Sequence, residues 1–168
     1  MRKRINLNFL LVCALAILMT AICLTIIFYD IFSEQMEREV RTIAELMEMS
    51  FNLEPDNGQY AEEVQLINDR IRITVIDDEG NVKYDSYTNA SEMDNHYQRP
   101  EVYEAMQSGY GEARRMSESL GLETYYYAIR LNDNYVLRVS ESVNIMVSLF
   151  MRAVVPMAII VITALSLA

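Results

Sequence analysis

A chain of 168 residues has room for one domain of ordinary size with anchoring segments, and not for two catalytic domains. Its 24 Asp and Glu against 14 Lys and Arg give a net charge of −10, which makes nucleic acid a poor partner. Both cysteines, Cys13 and Cys23, lie in one apolar stretch, so the rest of the chain has neither a disulfide nor a thiol nucleophile.

Residues 9–29 carry no charge over about the 20 residues that a helix needs to cross a hydrocarbon core, and are expected to form a first transmembrane helix. The run is longer than the apolar centre of a cleaved signal peptide, about 7–15 residues, and it ends in Ile26, Ile27, Phe28 and Tyr29 without the small residues of a cleavage site. Arg2, Lys3 and Arg4 place residues 1–8 in the cytoplasm by the positive-inside rule, and the segment that follows the helix outside. Residues 30–141 hold all 24 acidic side chains and ten of the basic ones, a net charge of −14 that leaves cations and cationic peptides open as partners.

Phe32, Met36, Val40, Ile43, Met47 and Phe51 recur at spacings of three and four, which predicts a membrane-proximal helix over 33–52 with Ser33 as its cap. Its apolar stripe packs either on its own domain or as the seam of a parallel dimer. Residues 53–58 carry turn chemistry, and 61–70 fit a short helix. From Ile71 the period changes to two: Ile71, Ile73 and Val75 alternate with Arg72, Thr74 and Ile76, and residues 77–81 turn the chain into 82–85 as a hairpin. Asp77, Asp78 and Glu79 lack the spacing of an EF-hand loop, so a solvated turn is expected there rather than a calcium site.

Pro100 opens a helix in whose first turn Glu101 and Glu104 suit the positive dipole end, and Gly109 and Gly111 close it. Strands are expected at 112–117, 124–131 and 135–140. In the second of these Tyr126 faces opposite to Tyr125 and Tyr127, so one face carries tyrosine into a core or pocket. Residues 147–168 are apolar apart from Arg152, whose stem can reach the headgroups, and are expected to form a second transmembrane helix that continues past Ala168. The sum is an α+β chain: two transmembrane helices flank a domain over 30–145, whose core at 71–140 is one antiparallel five-stranded sheet with helices packed on one face.

The run Ile73, Thr74, Val75, Ile76 and Asp77, then Gly80, Val82, Tyr84, Asp85 and Ser86, then Met93, Asn95, His96, Arg99, Pro100 and Glu101 carries a resemblance. Ala105, Gly109, Gly111, Ser117, Leu120, Gly121, Tyr126, Tyr127 and Ala128 extend it. In order and spacing these residues resemble the extracytoplasmic PAS-like, or Cache-like, sensing domain of bacterial sensor histidine kinases, in particular the phosphate-regulon type. The resemblance implies a homodimer in the cell membrane that detects an extracytoplasmic signal and passes it through the second membrane helix to a cytoplasmic kinase. That kinase, using ATP and Mg, phosphorylates a histidine and hands the phosphoryl group to a response regulator. No cofactor is implied for the present residues. The same input could instead serve a chemoreceptor or a nucleotide-cyclase receptor, and a membrane-anchored acidic docking domain is the non-signalling alternative.

His96, Arg99 and Pro100 are similar to the phosphoacceptor pattern His-Glu-x-Arg-x-Pro, but Tyr97 replaces the glutamate and the proline comes one residue early. His96 is therefore either a loop anchor or, at an unperturbed pKa of about 6.5, the side chain able to sense mild acid. Asp85, Arg99 and Arg114, or its neighbour Arg115, are the polar groups that would close around a small anion or pair with one another, and Tyr126 is the aromatic candidate for a pocket. Nucleophilic catalysis finds no support, since there is no second histidine and no Gly-x-Ser-x-Gly elbow.

Overall fold

A computed structural model of the chain describes residues 2–53, 70–117, 121–132 and 134–142, together with helical positions 152, 154–156, 158, 159 and 163. The chain divides into two compact units, Met1–Glu34 with Asn144–Ala168, and Gln35–Val143. The expected turn at 53–58 and short helix at 61–70 lie almost wholly outside the described residues, as does most of the second expected span at 147–168.

In the first unit, helix α1 (Arg2–Leu53) begins, and among the described residues it is the one helix long and apolar enough to cross a membrane, over Leu15–Phe51. Phe9, Leu18, Ile22, Ile26 and Phe28 are exposed along it. Thr20 and Thr25 return their hydroxyl protons to the carbonyls of Ala16 and Ala21 at 2.8 and 2.6 Å, so neither hydroxyl is left unpaired on an apolar surface.

The second unit contains the rest of α1 and strands β1 (Ile71–Ile76), β2 (Val82–Asp85), β3 (Tyr110–Met116), β4 (Glu123–Arg130) and β5 (Val136–Ser142). The sheet is antiparallel in the order β2-β1-β5-β4-β3. Between β2 and β3 come a short 3₁₀ turn, Ala90–Glu92, and helix α2 (Pro100–Ser108). Because β2 and β3 are opposite edges, the chain must cross the whole sheet there, about 19 Å at the usual strand spacing. It does so over one face.

The expectation that the helices share one face is corrected here. Val102 and Ala105 of α2 pack with Ile76, Ala128 and Val136, which the register puts on the face of Arg72, Arg138 and Tyr126. On the opposite face α1 meets the sheet: Arg41 donates to the Tyr125 hydroxyl at 2.9 Å and pairs with Glu112 at 2.6 Å, and Glu37 pairs with Arg114. The stripe of α1 is buried within its own domain at Met36, Val40, Ala44, Met47 and Phe51, with Ala44 taking the place that the spacing gave to Ile43. The physical reason is visible in the strands themselves. β1 is buried at all six positions and β4 at its six inner ones, so the central sheet has no solvent face and both sides need cover.

Helix α2 starts where the proline placed it, with Pro100 in its first turn, and ends at Gly109, whose φ of 96° is left-handed and whose N–H reaches the Ala105 carbonyl at 2.9 Å. Gly111 lets α2 lie against β3: a Cβ there would stand 2.7 Å from the Glu104 Cβ and 2.9 Å from the Ala105 nitrogen. Gly111→Val is expected to lower the unfolding free energy by about 1–3 kcal/mol through overpacking, measured by thermal unfolding of the full chain in detergent; an unchanged melting temperature would contradict this packing.

Candidate functional site

Beneath the crossover, on the face that α2 covers, lies a partly open cavity of about 230 Å³, lined by Arg72, Thr88, Glu92, Met93, Asp94, His96, Arg99, Arg115, Ser117, Tyr126 and Arg138. Strands supply its floor. Thr74 and Arg138 are register partners across β1 and β5, as are Arg72 and Ser140, while Tyr126 pairs with Ser140 across β5 and β4. Residues that alternate with the apolar ones therefore share one polar face of the sheet, on which Arg72, Tyr126 and Arg138 line the cavity and Thr74 and Ser140 are buried beside them.

The charges of the floor are held from behind by two carboxylates. Arg72 places its Nε 2.9 Å from Asp85 Oδ2, and Thr74 donates to the same oxygen at 2.8 Å. The other oxygen of Asp85 accepts from the backbone N–H groups of Tyr87 and Thr88, both at 2.9 Å, which fixes the start of the crossover to the sheet. Glu101, buried in the first turn of α2, accepts from Arg115 Nη2 at 2.9 Å and from Arg138 Nη1 at 3.3 Å. Arg138 also donates through Nη2 to Thr74 at 3.1 Å. The Tyr126 ring lies beside both guanidinium groups, 4.2 Å from Arg115 and 5.1 Å from Arg138.

Burial pushes the Glu101 carboxyl up, but the hydrogen bond from Arg115 and the charges of Arg138 and Arg115 outweigh it and hold the group below its ordinary range. Arg138 is driven the other way: burial lowers its pKa, and the Glu101 charge only partly opposes this.

His96 is tied to the β1–β2 turn by its N–H, which donates to the Gly80 carbonyl at 2.7 Å. Its Nδ1 lies 2.7 Å from the carbonyl of Asp94, which can only accept, so the neutral ring carries its proton on Nδ1 and a lone pair on Nε2. Burial, then the charge of Arg138, lower its pKa to about 4, with Arg99 adding to the shift. These two hydrogen bonds are those of a loop anchor, and with its pKa lowered the ring is neutral in mild acid.

Of the residues singled out in the sequence, His96, Arg99 and Tyr126 line the cavity. Asp85 lies behind it as the partner of Arg72, with a side chain of zero exposure. Arg114 is on the other face, paired with Glu37, and its neighbour Arg115 is the one that reaches the cavity. Arg72 and Arg138 were missed because an arginine alternating with apolar residues reads as the wet side of a strand. The available signal was that two such arginines occur in two separate strands.

For His96 the folded pKa lies below the unfolded value, so its contribution to stability is complete above about pH 6.5 and is lost as pH falls toward about 4. Unfolding measured between pH 7 and 4.5 is expected to show this decline, with a smaller slope in His96→Asn, which keeps a donor for the Asp94 carbonyl. Equal slopes would place the acid sensitivity elsewhere.

A family model described as single Cache-like matches residues 27–137 of the chain. No curated protein matches. Among solved structures the chain is similar to the Bacillus subtilis YkuI protein, with an EAL domain, in complex with c-di-GMP and calcium, at 11% identity and a TM-score of 0.46 over 70% of this chain and 35% of that one. It is similar to the sensor domain of the V. cholerae histidine kinase DctB at 17% identity and a TM-score of 0.42, over 68% of this chain and 55% of that one. A Cache chemosensory domain described for carboxylic acid recognition matches at 10% identity and a TM-score of 0.35, over 68% of this chain and 95% of that one. The chain thus spans about a third and about half of the first two.

Proposed function

The chain belongs to the single Cache-like family, and from that premise we propose that it is the signal-input region of a membrane-anchored receptor of the sensor histidine kinase type. The apolar first part of α1 anchors it, the Gln35–Val143 unit lies outside the cytoplasm, and the receptor acts as a homodimer. In this reading 147–168 is a second span. A kinase beyond it uses ATP and Mg to phosphorylate a histidine, from which a response regulator takes the phosphoryl group. The observation that carries the sensing role is the cavity itself, a partly open space with arginine, neutral histidine and tyrosine on its walls, beneath the crossover.

The ligand this chemistry suits is a small anion. Guanidinium groups bind oxyanions through charge-assisted, geometrically matched hydrogen bonds, and a volume of about 230 Å³ admits a small metabolite. Binding would alter the packing of the floor, and β4 offers the route outward. Tyr126 faces the cavity while its neighbours Tyr125 and Tyr127 face α1, where Arg41 holds the Tyr125 hydroxyl and lies over the Tyr127 ring. A ligand that binds one packing of this strand better than another shifts α1 between two states, which is all that transmission requires.

The test is thermal melting of the full chain in detergent against small carboxylates, inorganic phosphate, sulfate, amino acids, divalent cations and cationic peptides. A melting temperature that rises with anion concentration supports the reading, since a ligand bound only by the folded state stabilises it by mass action. Arg99→Ala should then raise the apparent Kd by about tenfold, the loss of one charge-assisted hydrogen bond. A response to no anion would remove the sensing proposal.

A further inference from the structure

On the face of the sheet that meets α1, Glu141 stands one residue before the end of β5. Its side chain is 5% exposed, and its Oε2 is buried with no hydrogen-bond partner among the described residues. The other oxygen lies 3.6 Å from Arg70 Nη1, longer than a hydrogen bond. The same guanidinium reaches Glu39 on α1 through Nη2, also at 3.6 Å, so one half-exposed arginine stands between two carboxylates. A buried carboxylate with one oxygen orphaned and the other loosely shared is costly, and a proton removes most of that cost.

The register partners of Glu141 are Ile71 on β1, which carries no charge, and Tyr125 on β4, whose hydroxyl is committed to Arg41 and Glu112. Burial pushes the Tyr125 hydroxyl up, so it stays neutral. Against Glu141, α1 sets the negative charge of Glu39, and the residue before β1 sets the positive charge of Arg70. Burial pushes the Glu141 carboxyl up, Arg70 opposes this without reversing it, and Glu39 adds to it. The packed position therefore binds a proton more tightly than an exposed one. By linkage a proton stabilises the packed position, an effect that is complete in acid and is lost as pH rises through the raised value.

We propose that the outgoing end of β5 is a proton-operated latch, seated on the α1 side of the sheet when Glu141 carries a proton taken from solvent and released when it is charged. Arg70 resists the release and Glu39 promotes it. The latch lies where the chain enters and leaves the domain: Glu39 is four residues past the start of the Gln35–Val143 unit, and Glu141 is two residues short of its end. It is on the opposite face from the cavity and does not depend on a ligand there.

The experiment is amide hydrogen exchange of the full chain in detergent, followed at Ser140 and Ser142 at pH 4.5 and pH 7.5, with each variant compared to the native chain at the same pH. Glu141→Gln, which keeps the shape of the protonated group, is expected to be severalfold more protected than the native chain at pH 7.5 and equally protected at pH 4.5. Glu39→Gln is expected to raise protection at pH 7.5, and Arg70→Ala to lower it about threefold, the worth of a half-exposed ion pair. A carbon-13 carboxyl resonance that is absent from Glu141→Gln is expected to titrate above the ordinary glutamate range. Equal protection in the native chain and Glu141→Gln at pH 7.5, or a difference of the same size at pH 4.5, overturns the latch, as does a Glu141 carboxyl that titrates within the ordinary range. Lower protection in Glu39→Gln, or higher in Arg70→Ala, overturns the roles given to the two charges. The anion response of the melting panel is independent of all these outcomes, so the latch and the sensing cavity stand or fall separately.

Discussion

Glu101 binds Arg115 on β3 and Arg138 on β5 from the first turn of α2, so one carboxylate joins the crossover to two strands that β4 separates. Groups this buried contribute little net stability compared with apolar residues of the same shape, because desolvation offsets the attraction, yet removing one partner costs about 3–5 kcal/mol. The arrangement fixes a conformation more than it stabilises one. Its geometric result is that two guanidinium planes stand in set positions around the Tyr126 ring, and the cavity takes its shape from them.

Asp85 does the equivalent at the other end of the crossover. By accepting from Arg72, Thr74 and the backbone of Tyr87 and Thr88, it binds the first residues after β2 to the sheet. Asn95 adds a further tie, its amide donating to the Glu79 carbonyl at 2.8 Å, close to where the His96 N–H meets Gly80. Between these fixed points the segment has little freedom of its own, and the side chains on that wall of the cavity are held in a preset geometry.

Local chemistry made much of this legible. The period-two runs gave β1 and β2 at their observed limits, and Pro100 marked the start of α2. What local pattern could not supply was the environment of the polar half of each strand, since water and a polar cavity select the same residue types. Arg72 and Arg138 become a site only through the pairing of β1 with β5, strands far apart in the chain. The choice between Arg114 and Arg115 is similar: only the register of β3 on β4, with Arg114 opposite Tyr125 and Arg115 opposite Thr124, assigns each to its face. The second face of the sheet was hidden for the same reason, because Val75, Leu137 and Val139 read as core without revealing that α1 meets Tyr125 and Glu112 on their side of the sheet.

The tyrosine run of β4 divides labour by parity. Residues at even positions, Thr124, Tyr126 and Ala128, belong to the crossover side, and those at odd positions, Tyr125, Tyr127 and Ile129, to the α1 side. Substitutions at even positions therefore alter the side of the sheet that carries the cavity and leave the contact with α1 untouched, while those at odd positions do the reverse. One eight-residue strand thus keeps the chemistry of the cavity and the packing of the helix on separate sets of side chains.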